Sequence, residues 1–337
     1  MKQVSILGAS GYSGAELVRI ILRHPHLQID KLFANSMAGT LFSDTFPEFR
    51  KRADVVMEKY APELTIQSDI IFLALPSGEA MKLAPAMLEG GKVVIDLGGD
   101  FRLKSTAEYE RYYKHTHSSP ELLSAAHYSL ADLPENEIQS ATLIANPGCY
   151  PTSALLPLIP LLREMLISPQ GIVINSLSGV SGAGRKADLS LSFCEVNESV
   201  KAYKAGEHQH IPEIRQALEK AAGAAVSFSF IPHLIPITRG IYTTIHANLA
   251  SDVTEEKIHT ALNLAYTASP FVHLTKQLPE IRAVQHTNRC DISFRLLPET
   301  RQVVLFSTID NLVKGAAGQA IQNLNLRMGW DAALGLM

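Results

Sequence analysis

The segment 4–22 constrains the fold of this chain more than any other. Val4–Leu7 is a short apolar strand, followed by a loop with Gly8, Gly11 and Gly14 and by a helical apolar pattern over 15–22. Such glycines allow a tight turn and close backbone approach, and the N-terminus of the next helix can receive a pyrophosphate. Because a strand precedes the loop and a helix follows it, the segment favours dinucleotide binding over an unrelated glycine-rich turn.

We expect the small and hydroxyl-bearing residues of this loop to contact the cofactor. They are Gly8, Ser10, Gly11, Tyr12, Ser13 and Gly14. The next apolar strand, 29–34, ends at Asn35-Ser36-Met37, without a carboxylate at its tip. An acid there would bind the ribose hydroxyls of NAD and repel a 2′-phosphate. Its absence favours NADP, with Ser36 as a contact, and leaves NAD open.

Strands and helices alternate through the first half of the chain. The apolar strand 70–75 ends at Pro76 and Ser77 before a helix to residue 89, and the strand 92–97 ends at Gly98 and Gly99. This alternation predicts a Rossmann-type, doubly wound parallel sheet of the α/β class, with ligand loops at the carboxyl ends of its strands. Pro76 and Ser77 are therefore expected to contact the cofactor.

The pattern changes after about residue 150. Strands are predicted at 172–178, 226–231, 240–249, 291–296 and 302–307, several with the alternation of a sheet that has one solvated face. With helices at 212–222 and 255–267, they form a second, α+β domain with a mixed or antiparallel sheet. The helix 310–325 is expected to pack back on the first domain. The predicted domains are 1–148 with 310–337, for the nucleotide, and 149–309, for catalysis and oligomerisation.

Cys149 lies in Asn146-Pro147-Gly148-Cys149-Tyr150-Pro151-Thr152, between an apolar run and a helix-like run over 153–162. A thiolate at a helix start is stabilised by unpaired backbone N–H groups and by the helix dipole. The same N–H groups can form an oxyanion hole for a carbonyl under attack. A nucleophilic cysteine and an inert buried cysteine are both compatible with this segment alone.

Composition excludes several classes of protein. The chain has 337 residues and net charge −3, its cations are dispersed, and no apolar segment approaches the length of a membrane span. We therefore expect no nucleic-acid or membrane partner and a cytoplasmic location. Three cysteines that lie far apart argue against both a disulfide framework and a metal site.

Two histidines, His208 and His210, precede a helix that Pro212 can begin. Metal binding is the weaker interpretation, because no third ligand has zinc-like spacing. The more specific hypothesis is that one of these histidines is a general acid/base that works with Cys149, since imidazole titrates near neutrality. Surface or capping histidines remain the alternative.

Five motifs in this order resemble the N-acetyl-gamma-glutamyl-phosphate reductase family, which belongs to a larger group with aspartate-semialdehyde dehydrogenase. They lie at 146–152, 179–185, 208–214, 232–240 and 309–319, and the resemblance spans residues 4 to about 329. It implies NADPH-dependent reduction of N-acetyl-L-glutamyl 5-phosphate, a small acyl phosphate, to N-acetyl-L-glutamate 5-semialdehyde in arginine biosynthesis. It also implies a homodimer or homotetramer built through the sheet of the second domain.

The resemblance assigns roles to individual residues. Cys149 matches the nucleophile and His208 and His210 the paired histidines; His208 is favoured as the acid/base for its spacing from the following helix, and His210 stays open. The remaining matches are Arg102, Asn146, Arg185, Glu213 and Arg239 for substrate, and Gly182 and Asn311 for cofactor. Ser77 stands where the family commonly has histidine, and the arginine often found after Ser36 is missing.

Rival functions share part of this pattern. A reductase of carrier-bound aminoadipyl phosphate in lysine biosynthesis would share the catalytic residues but would need a basic face for an acidic carrier. A non-enzymatic NADP-responsive regulator would keep the glycine loop without needing Cys149 and His208. A cysteine hydrolase would use the thiol without the nucleotide loop.

Overall fold

The computed structural model describes residues 1–65, 67–133 and 136–337. The chain divides into two compact units. The first comprises Met1–Gly148 and Ala316–Met337, and the second comprises Cys149–Gly315.

The first unit is built on a six-stranded sheet in which every pair of strands is parallel. Its order is β2-β1-β3-β4-β6-β5, with β1 Lys2–Leu7, β2 Leu27–Phe33, β3 Ile70–Leu73, β4 Val93–Asp96, β5 His127–Tyr128 and β6 Leu143–Ala145. The central strands are buried because helices cover both faces of such a sheet, which explains their continuous apolar runs. These helices are α1 Tyr12–Ile21, α2 Phe42–Thr45, α3 Ala80–Glu89, α4 Thr106–Tyr113, α5 Leu122–Ala125 and, from the end of the chain, α11 Gly318–Arg327.

The second unit contains a mixed seven-stranded sheet in the order β11-β12-β13-β10-β7-β9-β8. The strands are β7 Ile172–Ser178, β8 Lys201–Ala202, β9 Phe228–Leu234, β10 Ile241–Asn248, β11 Val272–Leu274, β12 Cys290–Leu297 and β13 Gln302–Ile309. β10 alternates buried and half-buried residues, because one face packs on helices and the other does not. The helices are α6 Cys149–Arg163, α7 Phe193–Val196, α8 His210–Ala222, α9 Glu255–Tyr266 and α10 Ile281–Val284.

Helix α6 is the core of the second unit and is buried from Tyr150 to Leu162. Pro160, inside this helix, cannot donate to the carbonyl of Leu156 four residues earlier. The hydroxyl of Tyr266, on α9, donates to that carbonyl instead. The substitute donor compensates for the hydrogen bond that Pro160 cannot make.

The fold class expected from the sequence is confirmed. The terminal α-helix spans Gly318–Arg327, begins later than the expected helix 310–325, and belongs to the first unit. The second domain boundary differs from the expected one: residues 310–315 lie in the second unit. Asp310 and Asn311 are hydrogen-bonded there, to Arg239 and to the backbone of Gly240. In the described part of the chain, no helix has both the length and the apolar character needed to cross a membrane.

Candidate active site

The glycine loop of the first unit is a cradle in which side chains have no room. Gly8 has φ +86°, and a Cβ added to it would lie 2.1 Å from the carbonyl oxygen of Ala74. A Cβ on Gly14 would lie 2.4 Å from the Gly8 carbonyl oxygen and 2.7 Å from the Ala9 Cα. Gly11 is the N-cap of α1 and has no side chain to cover the helix N-terminus. The loop therefore presents bare backbone at the start of α1, as pyrophosphate binding requires.

The other predicted cofactor contacts of this unit follow neighbouring strands. Ser36 is exposed after β2, and Pro76 and Ser77 follow β3. The carboxylate of Asp100 is fully buried and accepts hydrogen bonds from the Gly78 N–H at 2.7 Å, the Met81 N–H at 3.1 Å and the Tyr109 hydroxyl at 2.7 Å. It thereby ties the loop after β4 to the loop after β3. No local sequence pattern predicts this role of Asp100, because its partners lie up to 22 residues away.

A second buried network fixes the turn after β6. The Asn146 side chain donates to the carbonyls of Pro147 at 3.3 Å and Ala316 at 3.2 Å, and it accepts from the Asn323 amide at 3.1 Å. Arg102 is 6% exposed and donates to the carbonyls of Asn146 at 2.9 Å and Leu97 at 2.7 Å. The two residues predicted to bind substrate therefore hold the main chain that leads to Gly148.

Burial also changes the pKa of an acid beside this turn. Asp96 and Asp100 are both fully buried. Burial of Asp96, with the charge of Asp100 adding to it, raises the pKa of the Asp96 carboxyl above its ordinary range. The backbone N–H of Gly98 donates to Asp96 at 2.8 Å and opposes part of this increase.

In the second unit, Cys149 is half-buried and is the first residue of α6. The next residue, Tyr150, shares a hydrogen bond of 2.8 Å between its hydroxyl and that of Tyr203. Burial raises the pKa of both phenols, and an electrostatic interaction with the nearby Cys149 contributes to the increase. Both hydroxyls therefore stay protonated beside the sulfur. This pair was not predicted from the sequence, although Tyr150 stands within the Cys149 motif.

His208 lies in an aromatic box in the same unit. Its ring packs edge-on against Tyr150, Tyr203 and Phe230, with centroids 5.5, 5.6 and 5.5 Å away. Burial lowers the pKa of His208 to about 3, and the charge of Lys204 acts in the same direction. The imidazole is therefore neutral at pH 7.

The hydrogen bond at Nδ1 defines the tautomer of His208. This nitrogen accepts the backbone N–H of His210 at 3.1 Å. Since Nδ1 is an acceptor, the proton of the neutral ring is at Nε2. His208 thus offers an N–H donor from a rigid ring. His210 itself is 8% exposed, and its centroid lies 4.8 Å from that of His208.

The predicted anion-binding residues differ in their surroundings. Glu213 is fully buried on the first turn of α8, one turn after His210. Arg239 is mostly buried and forms an ion pair of 3.3 Å with Asp310. Arg185 is exposed in the loop after the short helix Val180–Ala183. Arg185 is therefore the more accessible of the two cations.

Gly182 and Asn311, predicted to contact the cofactor, are neighbours. A Cβ on Gly182 would lie 3.7 Å from the Asn311 side-chain nitrogen. That nitrogen donates to the Ser181 hydroxyl at 3.0 Å, and the Asn311 side-chain oxygen accepts the Gly240 N–H at 2.7 Å. Asn311 therefore joins the loop 179–184 to the loop before β10.

Known proteins are similar to this chain along nearly its whole length. Family models match residues 3–141, as "Semialdehyde dehydrogenase, NAD binding domain", and residues 149–311, as "Semialdehyde dehydrogenase, dimerisation domain". The N-acetyl-gamma-glutamyl-phosphate reductase of Pelotomaculum thermopropionicum is 47% identical over 99% of this chain and 97% of its own. The enzyme of that name from Syntrophobacter fumaroxidans is 44% identical over 100% and 98%.

Solved structures with the same fold include aspartate semialdehyde dehydrogenases. Enzyme II from Vibrio cholerae, complexed with ASA, superposes with a TM-score of 0.73 at 17% identity and covers 97% of this chain and 98% of its own. The enzyme with NADP from Candida albicans has a TM-score of 0.72 at 17% identity, over 98% and 99%. At this identity the likeness concerns the fold alone.

Proposed function

Because this chain belongs to the N-acetyl-gamma-glutamyl-phosphate reductase family, we propose that it reduces N-acetyl-L-glutamyl 5-phosphate to N-acetyl-L-glutamate 5-semialdehyde with release of phosphate, a step of arginine biosynthesis. The observation that carries the proposal is the placement of Cys149 at the first residue of α6, within a chain whose relatives match from end to end.

The proposed cofactor is NADPH. The glycine loop fits a dinucleotide, because an added Cβ at Gly8 or Gly14 would fill the cradle at the start of α1. No carboxylate follows β2, where Asn35 and Ser36 stand, and a structural relative was solved with NADP. When bound, the nicotinamide supplies the hydride that reduces the substrate carbonyl.

The covalent step belongs to Cys149. Its thiolate attacks the acyl carbon, a C–S bond forms, the bond from carbon to the phosphate oxygen breaks, and phosphate leaves with its electron pair. Backbone N–H groups at the start of α6 stabilise the negative oxygen of the tetrahedral intermediate. The resulting thioester holds the carbonyl in place for reduction, and the carbon–sulfur bond then breaks to release the aldehyde.

His208 is the proposed acid/base, with His210 as the alternative. In the structure the Nε2–H of His208 can donate a hydrogen bond to a developing negative charge, and Nδ1 is already occupied by the backbone N–H of His210. Transfer of a proton from an imidazolium would require this bond to break, since an imidazolium has hydrogen on both nitrogens.

The substrate carries a carboxylate and a phosphate, so fixed cations are needed. We assign this role to Arg185 and Arg239, with Glu213 at the same substrate site. We also assign Arg102 and Asn146 to the substrate site, and both in addition hold the main chain that leads to Gly148.

We also propose a homodimer or homotetramer formed through the sheet of the second unit, supported by the match to a dimerisation domain. The proposed location is the cytoplasm, where thiols such as Cys149 are kept reduced.

The reverse reaction tests this function. The protein is incubated with N-acetylglutamate semialdehyde, phosphate and either NADP or NAD, and cofactor reduction is followed by absorbance. We expect reduction that requires phosphate, is faster with NADP and is abolished in Cys149→Ser. Reduction without phosphate, or none with either cofactor, would contradict the proposal. A preference for NAD would contradict only the cofactor assignment.

A further inference from the structure

The chain forms a π-turn, Val313–Ala317, directly before α11. The N–H of Gly315 donates to the carbonyl of Asp310 at 2.9 Å, five residues earlier, instead of four as in an α-helix. The buried carboxylate of Asp310 holds the start of the turn, because it accepts the N–H groups of Leu312 at 2.8 Å and Val313 at 3.1 Å. The start of the turn is therefore held by Asp310, a residue of the second unit.

Gly315 in this turn lies against Cys149. A Cβ added to Gly315 would be 2.6 Å from the Cys149 Cβ and 3.0 Å from its Cα. Carbon atoms in van der Waals contact are about 3.5–4.0 Å apart, so a methyl group here would displace one backbone by about 1 Å. The next nearest atom, Cδ1 of Ile309 at 3.3 Å, is the end of a side chain that can rotate.

The backbone conformation does not explain why residue 315 is glycine. Gly315 lies outside the left-handed region, so alanine could adopt its φ without strain. Glycine within a helical segment costs about 1 kcal/mol relative to alanine. The close neighbour that makes glycine necessary is Cys149 itself.

We propose that Gly315 is a positioning residue for the nucleophile: its missing side chain lets the π-turn pack directly on the Cα and Cβ of Cys149 and fix the sulfur at the start of α6. The proposal rests on the proposed function, because it assumes that Cys149 is the nucleophile. A displacement of 1 Å at a reacting centre can cost about 100-fold in rate.

The first test compares Gly315→Ala with the unaltered protein in a Cys194→Ser background, because Cys194 is exposed and Cys290 is buried. We expect kcat to fall about 100-fold with KM and NADPH affinity within about threefold. Alkylation by iodoacetamide at pH 7 should slow at least tenfold, and its pH profile should move to higher pH as the sulfur leaves the helix N-terminus. Unchanged kcat and an unchanged alkylation profile would overturn the proposal.

The second test is a stability cycle that needs no activity. Gly315→Ala should lower Tm by roughly 3–10 °C in the presence of Cys149, as expected for overpacking. In a Cys149→Gly background, which removes the Cβ, most of this loss should disappear. An equal loss in both backgrounds would show that the methyl group meets something other than Cys149, and would also overturn the proposal.

The control for a glycine-to-alanine change is Gly90→Ala at the end of α3, where an added Cβ meets nothing closer than the Met87 carbonyl oxygen at 3.3 Å. It should leave kcat and Tm near the unaltered values. The parent function is tested separately: activity in Cys149→Ser would remove the nucleophile assignment, whereas an inactive Cys149→Ser with a fully active Gly315→Ala would refute the role of Gly315 alone.

Discussion

Protonation of His208 should make stability depend on pH. The folded-state pKa is lowered to about 3, against an ordinary value of 6.5. Between these values the unfolded chain binds a proton that the folded protein does not, so stability rises with pH and is lost as pH falls below 6.5. From pH 7 to pH 5 the loss from this group is about 2 kcal/mol, since 1.5 pH units correspond to 1.36 kcal/mol each. At pH 5 the folded protein still holds the ring neutral in its box of Tyr150, Tyr203 and Phe230.

The His208→Gln variant removes the titrating group. Urea unfolding followed by circular dichroism at pH 7 and pH 5 gives the change in unfolding free energy for each protein. We expect this change to be about 2 kcal/mol smaller in His208→Gln than in the unaltered protein. His259→Gln, at an exposed position on α9, is the control and should keep the full change. The same pH dependence in His208→Gln and in the unaltered protein would refute the argument that burial keeps His208 neutral.

The remaining predictions concern activity and binding. Cys149→Ser should lose nearly all turnover and retain NADPH binding in a fluorescence titration; preserved turnover would remove the thioester route. His208→Asn should lower kcat more than His210→Asn, and the opposite order would assign the acid/base to His210. Gly14→Ala should weaken NADPH binding about 100-fold, roughly 2.7 kcal/mol, because its Cβ would lie 2.4 Å from a carbonyl oxygen, whereas Gly11→Ala, with 3.3 Å, should weaken it less than tenfold. Equal effects would refute the steric argument. A chelator should leave the rate unchanged, and inhibition reversed by zinc would restore the metal interpretation.

Hydrophobic period and glycine spacing were sufficient to predict the parallel sheet, because its central strands β3 and β6 are apolar throughout and glycines follow β1 and β4. They were less informative at helix starts. The sequence pattern predicted a helical run from residue 153, but α6 begins at Cys149. Pro151 conceals the helical pattern of the first turn, although proline is compatible with that part of a helix. The start of α8 was likewise expected at Pro212 and lies at His210.

Other features depend on contacts between distant segments and leave no local pattern. The box around His208 requires Phe230, on β9, to face a ring more than twenty positions earlier. The π-turn includes a hydrogen bond from the Gly315 N–H to the carbonyl of Asp310, five residues earlier, and no residue type specifies this spacing. Arg102 matches a substrate-binding position, and only the fold shows that its Nε and Nη2 also donate to the carbonyls of Asn146 and Leu97.

The amide network of Asn146 has a consequence for synthesis on the ribosome. Two of its partners, the carbonyl of Ala316 and the amide of Asn323, are translated about 170 residues later. A nascent chain can complete the sheet of the first unit through β6 well before those partners emerge from the exit tunnel. The turn before Cys149 thus acquires its final hydrogen bonds only when translation is nearly finished, so in a chain truncated before α11 this turn should lack the hydrogen bond from Asn323.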